Sequence, residues 1–171
     1  MAGRAPQSTG TSTVGADGKL RLLIIEGRFY ENIGDELIAG ARAELDANGI
    51  GYELITVPGA LEIPQVLAQV VAGGNISAVD PEARFSGVIA LGCVIRGETS
   101  HYDIVCNNAN HWLMELAITH SIPVGNAILT VDTEAQALER ARGGRDGKGA
   151  DAARACLRLI EIARQFQGQT L

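Results

Sequence analysis

Short apolar segments alternate with amphipathic segments along most of the chain. Leu20 to Glu26 is a nearly continuous apolar run that stops at Gly27, which is typical of a strand buried on both faces. Asn32 to Asn48 carries apolar residues at helical spacing and is followed by Gly49, a common helix terminator. These two segments predict a first strand–helix unit.

The same alternation continues through the rest of the chain. Three further strands are predicted over about 52–57, 87–95 and 124–131, and four further helices over about 63–71, 103–120, 134–140 and 150–166. Pro64 is compatible only with the first turn of its helix, and Thr133 is a natural N-cap. Residues 72–85 form a long, Gly-rich and polar link.

Strand and helix therefore alternate four times, which is typical of parallel sheets connected by right-handed crossovers. We predict an α/β fold: a three-layer αβα sandwich of flavodoxin-like type with a four-stranded, mainly parallel sheet. Residues 20–171 are expected to form a single domain. Residues 1–19 are rich in Gly, Ser, Thr and Ala, and we expect a flexible tail rather than a signal peptide.

Composition narrows the possible partners. The chain has 14 Lys and Arg against 20 Asp and Glu, a formal net charge of −6, so nucleic acid and anionic membranes are not expected partners. No segment approaches the ~20 apolar residues of a membrane span. Cys93, Cys106 and Cys156 lack metal-ligand spacing and lie in apolar segments, which favours buried thiols in a reducing, cytoplasmic setting. We expect no metal.

In doubly wound sheets ligands bind at the carboxyl ends of the strands, and the unusual residues of this chain fall there. Gly92 to His101 leaves a strand, passes through small residues and enters a helix. Free N–H groups at the helix start and the hydroxyls of Thr99 and Ser100 can bind an anion, beside an imidazole that exchanges protons near neutral pH. A capped helix start with a solvated histidine explains the segment equally well.

Two other strand ends carry candidate binding residues, each with a structural alternative. Glu62 follows Pro58-Gly59 and either accepts hydrogen bonds from ligand hydroxyls or simply favours a helix N-terminus. Phe29 either stacks on a planar ring or covers the end of the sheet. Arg140 is a further candidate and lies at the end of a predicted helix. It either binds phosphate or complements the C-terminus of that helix electrostatically.

The sequence around three other polar residues gives little indication of a functional role. Lys148 lies in a glycine-rich loop, where an exposed lysine is ordinary. His111 and His120 lie on or at the end of a long helix, away from the strand ends, and are expected to be surface or packing residues.

Taken together, these segments resemble the lumazine synthase family over about Leu20 to Phe166. The resemblance is carried by Gly27-Arg28-Phe29, Val57-Pro58-Gly59-Ala60-Leu61-Glu62-Ile63-Pro64, Gly92 to His101, Leu129-Thr130, Gln136-Ala137-Leu138-Glu139-Arg140-Ala141 and Gly147-Lys148-Gly149, in order and at similar spacing.

The resemblance implies a transferase of riboflavin biosynthesis. Its reaction joins 5-amino-6-(D-ribitylamino)uracil to 3,4-dihydroxy-2-butanone 4-phosphate and yields 6,7-dimethyl-8-ribityllumazine without a cofactor. It also implies inter-subunit sites in a homopentamer, which in some family members packs further into an icosahedral shell.

The family's roles transfer to matching positions of this chain. Phe29 is implied to stack on the uracil ring, with the backbone of Val94 and Ile95 at the ring edge. Ala60, Leu61 and Glu62 are implied to hold the ribityl chain, and Gly97, Glu98 and Thr99 to bind the phosphate of the second substrate. Arg140 of a neighbouring subunit is implied to bind the same phosphate, with support from Lys148. His101 is implied to transfer protons.

One position departs from the family pattern. Asn126 aligns with a fourth-strand position where many family members have a phenylalanine facing the pyrimidine. An amide there would replace stacking with hydrogen bonding.

Two other functions compete with the enzyme. A non-catalytic flavin-binding, lumazine-binding or shell-forming protein of the same fold is the first, and the presence of His101 and Arg140 favours the enzyme over it. A flavodoxin-type nucleotide-binding module is the second, but Gly27-Arg28-Phe29-Tyr30-Glu31 lacks the glycines and hydroxyls for a phosphate at the first turn.

Overall fold

The computed structural model describes residues 20–167, and the predicted tail at residues 1–19 lies outside them. In chain order the elements are β1 (Arg21–Gly27), α1 (Glu31–Ala47), β2 (Gly51–Val57), α2 (Ile63–Ala72), β3 (Gly87–Ile95), α3 (His101–Thr119), β4 (Val124–Val131), α4 (Glu134–Ala141) and α5 (Lys148–Phe166). Single 3-10 turns precede α2 (Ala60–Glu62) and α5 (Gly144–Asp146).

The four strands form one sheet in the order β2-β1-β3-β4. Every pairing is parallel, so the predicted α/β class is confirmed and the sheet is parallel throughout its described strands. β1 and β3 lie at the centre, and their first seven residues are buried almost throughout, because helices cover both faces. All four carboxyl ends therefore meet at one edge of the sheet.

Alternate residues of each strand pack into two separate cores. Leu22 and Ile24 of β1 face α1, α4 and α5, whereas Leu23 and Ile25 face α2 and α3. This division gives the three-layer αβα sandwich that the alternation of elements predicted. α5 approaches α1 closely at Gly149, where a Cβ atom would clash with the carbonyl oxygen of Leu37.

Several predicted boundaries are confirmed and two are corrected. β3 and β4 have the predicted bounds, Pro64 lies in the first turn of α2, and Thr133 caps α4 by accepting a hydrogen bond from the Gln136 amide at 3.2 Å. α3 begins at His101 rather than at about Asp103, so the imidazole belongs to the first helical turn. α5 begins at Lys148 rather than at about residue 150, so Lys148 is a helix residue and not a loop residue. The predicted Gly-rich link before β3 contains Ile76 and Phe85, which form a bridge and are buried.

No helix within residues 20–167 is long and apolar enough to cross a membrane. The same residues contain no cluster of three or more His, Cys, Asp or Glu side chains that could hold a metal ion.

Candidate active site

A cavity of about 330 Å³ opens at the carboxyl ends of β1, β2 and β3. It is lined by Phe29, Tyr30, Pro58, Gly59, Ala60, Leu61, Glu62, Cys93, Val94, Ile95, His101 and Val105. The strand ends bring together residues from three distant parts of the chain, as the position of ligand sites in parallel sheets predicts.

Close backbone contact between β1 and the turn after β2 forms one side of this cavity. A Cβ atom on Gly27 would lie 2.8 Å from the carbonyl carbon of Gly59, which is closer than side chains normally approach. The amide of Arg28 donates to the carbonyl oxygen of Val57 at 2.8 Å and extends the strand pairing by one residue. Glycine at position 27 therefore lets the Gly59–Ala60 backbone reach the cavity.

The turn after β2 carries the carboxylate of Glu62. Ala60 is buried, Leu61 and Glu62 are half-buried, and the three residues form a 3-10 turn that leads into α2. Among residues 20–167, no side-chain hydrogen bond or ion pair engages the Glu62 carboxylate, so it is available to accept hydrogen bonds from a ligand.

Phe29 projects from the turn after β1 and is 71% exposed. Its ring contacts the Tyr30 ring edge-to-face, with 4.9 Å between the centroids. An exposed aromatic ring at the rim of an apolar cavity offers a stacking surface for a planar ligand.

The turn that carries Phe29 is anchored by Arg28. Its guanidinium donates to the buried carboxylate of Glu26 at 3.3 Å and to the exposed carboxylate of Asp35 at 2.6 Å. Burial raises the pKa of the Glu26 carboxyl, an effect that the Arg28 charge partly offsets.

The third side of the cavity comes from the end of β3 and the start of α3. Val94 and Ile95 are half-buried, and exposed His101 is the first residue of α3. Gly97, Glu98 and Thr99 occupy an exposed loop between these elements, next to the cavity but not lining it. The His101 amide donates to the Thr99 hydroxyl at 3.4 Å, and a Cβ on Gly97 would meet open space.

Cys93 lines the cavity, but its chemistry is that of a neutral thiol. Burial raises its pKa to about 11, and burial raises the pKa of Cys156 to about 12. Both side chains remain protonated near neutral pH, so neither is a thiolate nucleophile. All three cysteines are free.

Besides Gly97, Glu98 and Thr99, three further predicted site residues do not line the cavity of their own chain. Asn126 lies on β4 and donates to Asn110 of α3 at 2.7 Å. Arg140 is exposed on α4 and donates to the carbonyl oxygen of Gln136 at 2.9 Å, and Lys148 pairs with Asp151 at 2.7 Å. The exposed residues His111 and His120 are also absent from the lining.

Sequence analysis missed three side chains of the lining: Tyr30, Cys93 and Val105. Val105 could have been found once His101 was placed in the helix, because a residue four positions later shares the same helix face. No sequence signal identifies Cys93, since an apolar residue that lines a cavity has the same pattern in the sequence as one that packs in the core.

Fold and cavity together define a class: a doubly wound α/β protein with a cavity of small-molecule size at the carboxyl ends of its strands. Residues 19–164 match the family described as 6,7-dimethyl-8-ribityllumazine synthase. The chain belongs to this family.

Curated relatives that carry the same name cover most of the chain. The relative from Azorhizobium caulinodans is 50% identical over 158 residues, which is 92% of this chain and 93% of the relative. The relative from Xanthobacter autotrophicus is 50% identical and covers 86% of this chain and 87% of its own. For the relative from Nitrobacter hamburgensis the identity is 46%, with 95% of each chain covered.

Proposed function

We propose that the protein is a lumazine synthase, a transferase of riboflavin biosynthesis. It condenses 5-amino-6-(D-ribitylamino)uracil with 3,4-dihydroxy-2-butanone 4-phosphate to give 6,7-dimethyl-8-ribityllumazine. The observation that carries the proposal is that Phe29, Glu62 and His101, from three separate strand ends, line one cavity in a chain of this family.

The uracil substrate binds at the apolar part of the cavity. The ring of Phe29 stacks on the pyrimidine, and the backbone at Val94 and Ile95 meets the ring edge. Ala60, Leu61 and Glu62 hold the ribityl chain, where the Glu62 carboxylate accepts hydrogen bonds from its hydroxyls. The support for these roles is that all six residues line the cavity and that Glu62 has no competing partner among residues 20–167.

The phosphate of the second substrate binds in the loop of Gly97, Glu98 and Thr99. This loop precedes the N-terminus of α3, where the backbone N–H groups and the helix dipole favour an anion. Open space around Gly97 leaves its backbone accessible, and His101 in the next turn lies at the cavity.

The reaction needs positioning and proton transfer, and no cofactor. The primary amine of the uracil attacks the ketone, and loss of water gives a Schiff base. Phosphate then leaves, the ribitylamino nitrogen closes the second ring, and a second water is lost. His101 transfers protons during these steps, and the shared cavity holds amine and ketone together.

Arg140, Lys148 and Asn126 act in the site of a neighbouring subunit. Each is absent from the cavity of its own chain, and Arg140 is exposed. We propose a homopentamer, alone or packed into an icosahedral shell. Exposed apolar side chains of α3, Ile104 at 53%, Trp112 at 51% and Ile118 at 78%, support a surface that another subunit covers.

The free cysteines and the acidic net charge support a cytoplasmic protein without nucleic-acid or membrane partners. The non-catalytic flavin-binding alternative is not favoured, because the curated relatives are named as the enzyme.

The direct test is to mix the purified protein with both substrates and follow the fluorescence of the lumazine product. Product formation that depends on both substrates and on protein concentration supports the enzyme. Binding of lumazine or flavin without any product formation would instead identify a non-catalytic binding protein.

A further inference from the structure

Arg96 lies immediately before the loop to which the phosphate of the second substrate is assigned. We propose that Arg96 is a positioning residue that closes the base of this loop and orients His101. The inference rests on the proposed function for its kinetic consequences, but its structural part can be tested without substrate.

Both the backbone and the side chain of Arg96 are engaged. Its amide donates to the carbonyl oxygen of Val131 at 2.9 Å, where the pairing of β3 with β4 ends. Its Nε donates to Oδ1 of Asp132 at 3.1 Å, and its Nη1 lies 3.5 Å from Oδ1 of Asp103. The guanidinium carbon lies 4.1 Å from the centroid of the Tyr102 ring.

These partners lie on both sides of the loop. Arg96 precedes Gly97, whereas Tyr102 and Asp103 belong to the first turn of α3, directly after the loop. Asp132 directly follows β4, the strand that pairs with β3. The guanidinium therefore connects the start of the loop, its end and the adjacent strand end.

The planar shape of guanidinium makes this arrangement possible. The flat face packs on an aromatic ring while the N–H groups at the edge reach carboxylates, a combination that the ammonium of lysine cannot reproduce. Charge alone therefore does not account for the arrangement at position 96.

Tyr102 extends the same network to the end of β4. Its hydroxyl has the side chains of Thr130 and Cys106 as hydrogen-bonding neighbours. Because Tyr102 follows His101 in the first helical turn, holding its ring also fixes the backbone from which the imidazole projects. The cavity receives His101 in this orientation.

The network is too exposed to contribute much to folding. The side chains of Arg96, Asp103 and Asp132 are 48%, 56% and 67% exposed, and ion pairs at such positions add little stability. We therefore expect its loss to change the geometry of the loop and leave the fold intact.

Arg96→Met tests this role, because it removes the charged guanidinium group and keeps an unbranched side chain. We expect the KM for the phosphate substrate to rise and kcat to fall, together by roughly ten-fold or more, as small misplacements of reacting groups do. The KM for the uracil substrate should change by less than about two-fold, as for most surface substitutions. Equal losses for both substrates, or no loss, would overturn the proposal.

Arg84→Met is a matched control. Arg84 also pairs with a carboxylate, Glu53 at 2.6 Å, and its guanidinium carbon lies 5.2 Å from the Phe85 ring, but it precedes β3 at the opposite edge of the sheet. It should retain wild-type kinetics. Arg96→Lys separates shape from charge: we expect it to behave like Arg96→Met, and full activity would show that charge alone is needed and overturn the positioning role.

Hydrogen exchange gives a readout that does not require turnover. In Arg96→Met the amides of residues 97–101 should exchange faster than in wild type and in Arg84→Met, and inorganic phosphate should protect them less. Asp132→Asn changes a residue outside both β3 and α3. It should also speed the exchange of the amides of residues 97–101, but less than Arg96→Met does. Unchanged exchange in both variants would overturn the inference even if the wild-type protein is active. If the wild-type protein shows no turnover but the two variants show faster exchange of these amides, only the proposed function is refuted.

Discussion

The side-chain amide of Asn126 donates to the side-chain oxygen of Asn110 at 2.7 Å and connects β4 to α3. The oxygen of the same Asn126 amide accepts a hydrogen bond from the backbone of Ile128 at 2.9 Å. Both polar ends of Asn126 are therefore used within its own chain, although the residue is exposed. Asn126 does not line the cavity of its own chain, so the pyrimidine contact proposed for it requires the site of a neighbouring subunit.

For Asn126→Phe we expect tighter binding of flavin-like ligands, by roughly 0.5–1.5 kcal/mol, because an added ring stacks on the ligand. Titration of flavin fluorescence measures this change. Asn110→Ala is the control, since it releases the Asn126 amide without adding a ring and should leave flavin affinity unchanged. An unchanged affinity in Asn126→Phe would show that position 126 does not face the ligand.

Arg140→Ala should weaken use of the phosphate substrate more than binding of the uracil substrate. Loss of a charge-assisted bond to phosphate costs about 2–3 kcal/mol, seen as a higher KM for that substrate. Steady-state kinetics with each substrate varied in turn provide the measurement. Arg158→Ala removes a similarly exposed arginine whose ion-pair partner is Glu161, and it should behave as wild type. Equal effects on the two substrates would argue against phosphate binding by Arg140.

His101→Ala should slow turnover by roughly one to a few powers of ten, because general acid–base help is lost while proximity of the substrates remains. Uracil binding and assembly should stay nearly intact. Turnover, ligand titration and size-exclusion chromatography on one preparation test all three. His111→Ala, which removes an exposed imidazole on the same helix, is the control. Wild-type turnover in His101→Ala would remove the imidazole from the mechanism, and loss of assembly would make it a structural residue.

Glu26 predicts an unusual pH dependence of stability. Burial raises the pKa of this carboxyl, so the folded state binds its proton more tightly than the unfolded state does. The contribution of Glu26 to the free energy of unfolding is then most favourable at acid pH and falls as the pH rises through the raised pKa. Glu26→Gln removes this titration, so its stability relative to wild type should increase from acid to neutral pH. Urea unfolding at fixed protein concentration measures the difference, and a difference that does not change with pH would contradict the prediction.

Glu44 predicts the opposite dependence. Its carboxylate is 5% exposed and accepts bonds from Arg145 at 2.9 Å, Arg154 at 2.8 Å and Asn48 at 3.1 Å. The Arg145 hydrogen bond is the main cause that lowers the pKa of Glu44, so its stabilisation is present at neutral pH and is lost as the pH falls through the lowered pKa.

Glu44→Gln should therefore destabilise the protein by about 1.5–3 kcal/mol at neutral pH, because it weakens bonds to a charged and nearly buried acceptor. Urea unfolding measures the loss. Glu161→Gln, which removes a half-exposed ion pair with Arg158, should cost less than about 1 kcal/mol. Similar losses in the two variants would mean that burial of the Glu44 cluster adds no stability.

Local sequence patterns were sufficient for the elements themselves. β3 and β4 were predicted with the bounds they have, because β3 is a continuous apolar run and β4 is largely apolar, broken only by Asn126 and Thr130. The α/β class and the location of a cavity at the strand ends followed from the alternation of the elements. The start of α3 was placed two residues too late, since polar residues at a helix terminus carry no hydrophobic periodicity.

The sequence by itself determined which segments become strands and helices and which residues lie at the strand ends, because these properties depend on neighbours a few positions apart. The tertiary structure decided the strand order β2-β1-β3-β4 and thereby brought Phe29, Glu62 and His101 to one cavity. It also decided the contacts of Arg96 with Asp132 and of Glu44 with Arg145 and Arg154. Such contacts join residues far apart in the chain, and they form only when the packing of whole layers brings the two side chains together, so no local pattern encodes them.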